Sequence, residues 1–378
     1  NFNWKYSSEP EPFLNNRKIF CPRGKLVGGC SSHNGMVFVR GHPEDYNRWA
    51  SYGLSKWSYE HVLPYFKKIE TWSEGENLYR GGTGLLKVNK SKINKKFPLY
   101  QTVLNAAQEA GYDLYEDVNG YKQEGFGPFD VTIDNGMRFG VAKAYLDKIK
   151  DKSNVKIFTN TSVLKILFKN KTAVGIEVEE KNKKISYFAN KEVLLSAGSI
   201  NSPKILQLSG VGDAQELKKH DIDVYHELPG VGENLRDHPS VGVKYRLHED
   251  KIVDPLSPKQ QVGLRYTAHD SNLRDDMIIL PQSGISEEIY KIHYEKRDIF
   301  GMGCILNLAK SSGSLYLGSA DPNLQPIMDY KYLQDDFDLY RLREAVQVCL
   351  ELAEGDHLHP LIKERVTPLD EEIVSDNA

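Results

Sequence analysis

The chain has 378 residues, of which 40% are hydrophobic, and its 49 Lys and Arg against 52 Asp and Glu give a formal net charge of −3. This length fits two domains better than one small core, and charges of both signs are interspersed, so no basic stripe indicates a nucleic-acid partner. No apolar run approaches the roughly 20 residues of a membrane span, so we expect a cytoplasmic protein without a transmembrane segment that acts on a small molecule.

The first feature along the chain is a glycine-rich loop. Residues 24–40 read GKLVGGCSSHNGMVFVR and combine glycines with small hydroxyl residues and an amide. Because glycine accepts positive φ and has no Cβ, such a loop brings backbone N–H groups close to an anionic or planar ligand. The loop therefore predicts a site for a large cofactor, while a tight turn between two strands stays open as the alternative.

Two helices are predicted next, after a β-rich entry over residues 1–40. Ser58 can cap a helix over residues 58–70, because apolar side chains recur there at helical spacing. Pro98 and Gly111 bracket a second helix. Between the two helices, residues 75–96 are rich in Gly, Asn and Lys, which is typical of a mobile surface excursion.

From residue 154 the pattern changes to strands. Four segments alternate or run apolar between polar turns and predict an antiparallel ribbon, namely residues 155–159, 162–168, 173–180 and 184–189. A buried strand is predicted over 192–197, followed by Gly198 and a helix with Ser202 as its cap and Pro203 as its first residue. A strand, a glycine turn and a helix start form a geometry that binds nucleotide cofactors, but an ordinary βα turn stays equally open.

The last third of the chain carries fewer signals. Residues 240–300 are polar with few periodic runs, and no substrate pocket can be assigned there. Residues 313–318 predict a strand, and residues 335–355 predict a long helix. The apolar stripe of that helix consists of Leu339, Leu342, Val346, Cys349 and Leu350.

The cysteines give no sign of metal or dithiol chemistry. They are Cys21, Cys30, Cys304 and Cys349. No C-x-x-C pair occurs, which favours a reducing compartment. Cys30 and His33 have the spacing of half a metal site, but no second pair accompanies them, so we predict no metal.

Two further segments strengthen the reading of the glycine-rich loop. Residues 198–212 read GSINSPKILQLSGVG, and residues 229–238 read PGVGENLRDH. Residues 24–40 and 198–212 resemble the two signatures of the glucose–methanol–choline (GMC) family of FAD-dependent oxidoreductases, and residues 229–238 are similar to the loop that usually follows in this family. The resemblance covers most of residues 1–240 and returns around 310–360. Within the family the chain looks most similar to choline dehydrogenases and related alcohol dehydrogenases, through residues 1–4, 9–12 and 119–128.

The resemblance implies an α/β fold, α+β overall. It implies an FAD-binding Rossmann-like domain over 1–75 and 135–240, a lid or excursion over 76–134, and a substrate-binding domain over 241–378 built on an antiparallel sheet with helices. Family members begin with a strand and a G-x-G-x-x-G turn, and no such turn occurs in the chain. We therefore expect an internal fragment whose FAD domain lacks its first βαβ unit.

The resemblance also implies FAD as cofactor. The positions that match the family's cofactor contacts are Gly24, Lys25, Gly28, Gly29, Ser31, His33, Asn34, Gly35, Val37, Val163, Ala197 and Gly198. His33 matches a histidine that choline oxidases and some fungal sugar dehydrogenases bond to the flavin; both this bond and a merely hydrogen-bonding role stay open. Arg23, Lys25 and Arg40 could balance phosphate charge, although solvated surface cations are commoner.

The implied activity is the oxidation of a primary alcohol, with choline as one candidate, to an aldehyde by hydride transfer to FAD. Oxygen or an electron carrier would reoxidise the flavin. The family's catalytic histidine pair is expected beyond Ala378, so no catalytic residue is assigned and the fragment itself is expected to be inactive. A hydroxynitrile-lyase-like protein without net redox chemistry and a truncated non-catalytic chain are the alternatives.

Overall fold

The computed structural model of the protein describes residues 2–91, 99–251, 260–283 and 298–373. The described chain forms two compact units. Unit 1 comprises residues 2–29, 149–237 and 310–335, and unit 2 falls within residues 30–148, 238–309 and 336–373. This division differs from the predicted domains, since residues 30–75 and 135–148 belong to unit 2. The boundaries of a cofactor domain, a lid and a substrate domain therefore stay a prediction.

Strands make up most of the regular structure. They are β1 (Tyr6–Glu11), β2 (Arg17–Cys21), β3 (Val37–Phe38), β4 (Glu70–Trp72), β5 (Leu86–Lys90), β6 (Gly125–Pro128), β7 (Asp130–Val131), β8 (Ile133–Asp134), β9 (Met137–Arg138), β10 (Thr161–Lys169), β11 (Thr172–Glu180), β12 (Lys183–Phe188), β13 (Val211–Gly212), β14 (His226–Glu227), β15 (Glu233–Leu235), β16 (Ser240–Leu247), β17 (Val262–Tyr266), β18 (Met277–Ser283), β19 (Ile299–Leu306), β20 (Gly313–Tyr316), β21 (Ile327–Asp329) and β22 (Ile362–Thr367).

The α-helices have 4 to 11 residues, except for the 19-residue α7. They are α1 (Pro43–Ser51), α2 (Tyr59–Ile69), α3 (Leu99–Glu109), α4 (Val141–Ala144), α5 (Gly198–Leu208), α6 (Ala214–Lys218), α7 (Asp336–Glu354) and α8 (Asp370–Ile373). None of the helices in the described ranges combines the length and the apolar character that crossing a bilayer requires. The mixture of sheets and helices confirms the predicted α/β class.

In unit 1, the predicted antiparallel ribbon forms as β10-β11-β12. Val163 pairs with Val178, and Ile166 pairs with Ile176. The side chains of Leu164, Ile166 and Val178 are buried, so the ribbon packs one face as its alternation predicts. A three-stranded sheet, β15-β20-β21, lies in the same unit.

Two predicted strands of unit 1 are not strands. Residues 155–159 and 192–197 run without ladder pairing, and Phe158 and Leu194 are 51% and 80% exposed. An apolar run predicts burial on a sheet, but a strand also needs a neighbour for its backbone hydrogen bonds. No other described segment supplies that neighbour.

Unit 2 is built on a six-stranded antiparallel sheet in the order β22-β16-β19-β18-β17-β6. Helix α7 packs on it, and Leu342, Cys349 and Leu350 of the predicted stripe are buried. The sheet shows that the sequence reading of residues 240–300 missed β16 to β19. The predicted excursion over 75–96 is also partly wrong, because β5 lies within it and Val88 is fully buried.

Candidate functional site

The first half of the glycine-rich loop lies in unit 1 and is held by the segment 2–4. The Lys25 backbone N–H donates to the Phe2 carbonyl at 2.8 Å, and the Trp4 N–H donates to the Arg23 carbonyl at 2.9 Å. The Lys25 ammonium lies 4.4 Å from the centroid of the Trp4 ring, a cation–π contact. The contacts with residues 2–4 therefore fix both the backbone at the start of the loop and the Lys25 ammonium.

Two of the predicted cofactor glycines in unit 1, Gly29 and Gly198, have open space in front of the backbone. Gly29 has φ +54° and Gly198 has φ +89°, and a Cβ at either position would meet no atom within 4 Å. Glycine is therefore required by the left-handed backbone rather than by crowding. Exposed backbone in this conformation fits a flat, anionic cofactor such as FAD, which approaches main-chain N–H groups closely.

The second half of the loop lies in unit 2 and forms a tight turn. The backbone N–H groups of His33 and Asn34 both donate to the Cys30 carbonyl, at 3.0 and 2.8 Å. His33, Asn34 and Gly35 are exposed, and Ser31 and Val37 are half-buried. The turn therefore presents its imidazole and its amide to the outside rather than packing them into the core.

Arg138, which the sequence reading did not single out, holds this turn from β9. Its guanidinium donates to the Asn34 side-chain oxygen at 2.7 Å, the Asn34 carbonyl at 2.7 Å and the Ser31 carbonyl at 3.1 Å. The Val141 N–H donates to Ser31 Oγ at 3.0 Å. With the Asn34 oxygen engaged, the Nδ2 amide is the part of that side chain left to donate to a ligand.

The remaining predicted cofactor residues lie in unit 1. Val163 is on β10 and partly exposed, and Ala197 occupies the N-cap position of α5, which begins at Gly198. The prediction that Ser202 caps this helix is wrong, because Ser202 and Pro203 lie inside it. The Ser202 hydroxyl nevertheless accepts the Ala197 N–H at 3.1 Å, so it satisfies a backbone donor at the helix start.

A cleft of about 370 Å³ opens beside the start of α5. It is lined on one side by Ser199 and Ser202, and on the other by the loop 230–236. Within that loop Gly232 has φ +96°, and a Cβ there would lie 2.0 Å from the Leu315 carbonyl oxygen. The loop can approach β20 this closely because residue 232 has no side chain.

Arg40 does not serve as a surface cation for phosphate. Its side chain is buried, with Nη2 2.7 Å from Glu70 Oε1, and Nη1 donates to the Tyr79 carbonyl at 2.7 Å. Glu70 also accepts from the fully buried Arg80, whose Nη1 lies 2.6 Å from Asp130 Oδ2. Arg40 therefore belongs to the internal charge network of unit 2.

The other candidate charges are also accounted for. Arg23 pairs with Asp237 at 3.0 Å, and Lys25 makes the cation–π contact with Trp4 described above. No group of three or more His, Cys, Asp or Glu residues among those described could hold a metal ion.

Two family models match most of the chain. A model for the N-terminal part of GMC oxidoreductases matches residues 10–240, and a model for their C-terminal part matches residues 309–378. The chain belongs to the GMC oxidoreductase family. GMC oxidoreductases use FAD, so this chain is that of an FAD-dependent oxidoreductase, as the two signatures predicted.

Curated relatives of this GMC chain include dehydrogenases. An oxygen-dependent choline dehydrogenase of Photobacterium profundum is 36% identical over 398 residues, covering 100% of this chain and 70% of that protein. The mitochondrial choline dehydrogenase of Mus musculus is 37% identical over 392 residues, covering 97% of this chain and 65% of that protein. The GMC chain thus spans about two thirds of the length of these relatives.

Solved structures agree with the GMC fold. Pyridoxine 4-oxidase from Mesorbium loti superposes with a TM-score of 0.90 at 24% identity, covering 97% of this chain and 73% of that chain. A formate oxidase superposes with a TM-score of 0.89 at 21% identity, covering 99% and 76%. At these identities the likeness establishes the fold.

Proposed function

We propose that the protein oxidises a primary alcohol to an aldehyde, with choline as the first candidate substrate. The observation that carries the proposal is the 36–37% identity, extending over nearly the whole chain, to enzymes named choline dehydrogenase. FAD, when bound, accepts the hydride from the CH–OH carbon. A lyase without net redox chemistry is not favoured, since these relatives are dehydrogenases.

We assign FAD binding to the glycine-rich loop and to the start of α5. The residues proposed to contact the cofactor are Gly24, Lys25, Gly28, Gly29, Ser31, His33, Asn34, Gly35, Val37, Val163, Ala197 and Gly198. Support comes from the open space at Gly29 and Gly198, which admits flat, anionic groups, and from the Asn34 side chain, whose Nδ2 can donate to a ligand while its oxygen accepts from Arg138.

His33 is proposed to line the flavin, with or without a covalent bond. Support comes from its exposed side chain in a turn whose backbone is fixed by the Cys30 carbonyl. Acid precipitation of the holoenzyme separates the two forms. Flavin colour in the pellet, lost in a His33→Ala variant, would establish the bond, whereas colour entirely in the supernatant would leave His33 as a hydrogen-bonding residue.

Turnover tests the substrate assignment. The holoenzyme is supplied with choline, a benzylic alcohol or an aliphatic alcohol, and aldehyde is measured with oxygen or with an artificial electron carrier as acceptor. The proposal expects aldehyde from choline at the highest kcat/KM. Aldehyde from the other alcohols alone would keep the reaction class and reject choline, and activity with only one acceptor would distinguish an oxidase from a dehydrogenase.

A further inference from the structure

Two cysteines meet in the core of unit 2. Cys304 lies on β19 and Cys349 on α7, and their sulfur atoms are 3.4 Å apart. Both residues are fully buried, and none of the four cysteines forms a disulfide. The two residues are 45 positions apart in sequence, so only the tertiary structure brings their sulfurs together.

The backbone around each sulfur is fixed. Strand β19 is central in its sheet, and Cys304 pairs with Val241 on one side and Ile279 on the other. Cys349 lies in the 19-residue helix α7, and its carbonyl accepts the Tyr245 hydroxyl at 3.4 Å. A disulfide bond is about 2.0 Å long, so forming it brings the two sulfurs closer by roughly 1.4 Å.

The two cysteines also lie on either side of a segment that belongs to the other unit. The chain leaves unit 2 after residue 309, runs through unit 1 as residues 310–335, and returns to unit 2 at residue 336. Cys304 precedes the exit and Cys349 follows the return. A bond between them would tie the outgoing strand to the incoming helix and close the intervening loop, which restricts the unfolded chain.

We propose that Cys304 and Cys349 form a disulfide site that a peroxide, acting as a two-electron oxidant, closes in the folded protein. One thiol sulfur takes an oxygen atom from hydrogen peroxide and becomes a sulfenic acid, releasing one water. The second thiol attacks that sulfur, the S–S bond forms, and the displaced hydroxide leaves with the thiol proton as a second water. Two thiols are oxidised and one peroxide is reduced.

The surroundings select a small oxidant. Because both sulfurs are buried, a water-sized peroxide can reach them through local opening more readily than a bulky disulfide. Burial raises the pKa of the Cys349 thiol well above its ordinary range, and the neighbouring Cys304 sulfur adds to this shift. Little Cys349 thiolate is therefore present while the pair is buried, so oxidation proceeds during the local opening that admits the peroxide.

Peptide mapping tests the proposal directly on the folded protein. After treatment with hydrogen peroxide and removal of the oxidant, free thiols are alkylated and the protein is digested without reduction. The expected product is a cross-linked peptide pair containing Cys304 and Cys349, lighter than the two peptides by two hydrogen atoms. A reductant should abolish it, and oxidation should raise the melting temperature.

Controls come from the other two cysteines. Cys30 is exposed and Cys21 is buried in unit 1, so a Cys21→Ser, Cys30→Ser double variant should yield the same cross-link. The proposal is overturned if Cys304 and Cys349 are both alkylated after unfolding while Cys30 has been oxidised, or if the cross-link appears only when the protein is unfolded before oxidation. Neither result depends on FAD or on alcohol oxidation.

Discussion

Arg138 clamps Asn34 through two 2.7 Å hydrogen bonds, one to the side-chain oxygen and one to the carbonyl oxygen. A bidentate, charge-assisted contact of this kind fixes orientation as well as position. Arg138 therefore sets the conformation of the turn that we propose to face the flavin.

Replacing Arg138 by Ala should weaken FAD binding by about 10- to 100-fold, since hydrogen bonds to a charged group contribute roughly 1.5–3 kcal/mol. The FAD affinity of Arg138→Lys should lie between those of wild type and Arg138→Ala, because an ammonium keeps the charge but cannot reproduce the bidentate contact. Flavin fluorescence titration of the apoprotein measures this. The matched control is Arg246→Ala, whose ion pairs are with Asp298 and Glu364; equal losses in both variants would contradict the clamp.

Gly232→Ala should destabilise the protein more than Gly29→Ala. Both glycines have positive φ, which costs an alanine about 1 kcal/mol. At Gly232 the new Cβ would also collide with the Leu315 carbonyl oxygen, whereas Gly29 has open space. Urea unfolding of the two variants makes the comparison, and equal stability losses would show that the loop 230–236 relaxes freely.

Arg80→Met should cost about 3–5 kcal/mol of unfolding free energy, because it leaves the buried carboxylates of Glu70 and Asp130 without their shared cation. Burial already raises the pKa of Asp130, and Arg80 opposes that rise. The control is Lys87→Ala, which removes a more exposed ion pair with Asp134 and should cost under about 1 kcal/mol. Chemical denaturation at pH 7 distinguishes them, and similar costs would refute the network's role.

Lys204 should make the stability of the folded protein increase with pH in the alkaline range. Burial lowers the pKa of its ammonium below 10.5, and the side chain donates to the Pro322 carbonyl at 2.7 Å. When the pKa of a basic group is lower in the folded state than in the unfolded state, the shift stabilises the folded state fully at pH values above the unfolded pKa. This stabilisation is lost as the pH falls through the folded pKa. The melting temperature of wild type minus that of Lys204→Met should therefore rise with pH below about 10.5. A flat difference would contradict it.

The sequence predicted the elements whose signals are local. Helix α2 follows from the position of Ser58 and an apolar stripe, and β10-β11-β12 follows from alternation. The strands β18 and β19 were missed because they contain Pro281, Gly301 and Gly303, residues that ordinarily argue against a strand. Here the ladder with neighbouring strands outweighs these local preferences.

The candidate site was predictable only in part. The signatures identified the glycine-rich loop and the family, but not the residues that fix the loop. Arg138 and Asn34 are 104 positions apart in the sequence, and a periodic sequence pattern cannot predict a contact between such distant residues. Arg40 is the last residue of the loop and was a candidate to balance phosphate charge or to be a solvated surface cation, yet burial beside Glu70 assigns it to the core. Tertiary contacts decide both cases.

An anaerobic absorbance spectrum of the purified holoenzyme, recorded before and after adding choline, tests the central claim most directly. A benzylic and an aliphatic alcohol are added in parallel samples. The account predicts that choline bleaches the flavin band, because hydride transfer reduces FAD when no acceptor is present. A flavin band that stays oxidised with all three alcohols, or a protein that binds no flavin at all, would contradict it.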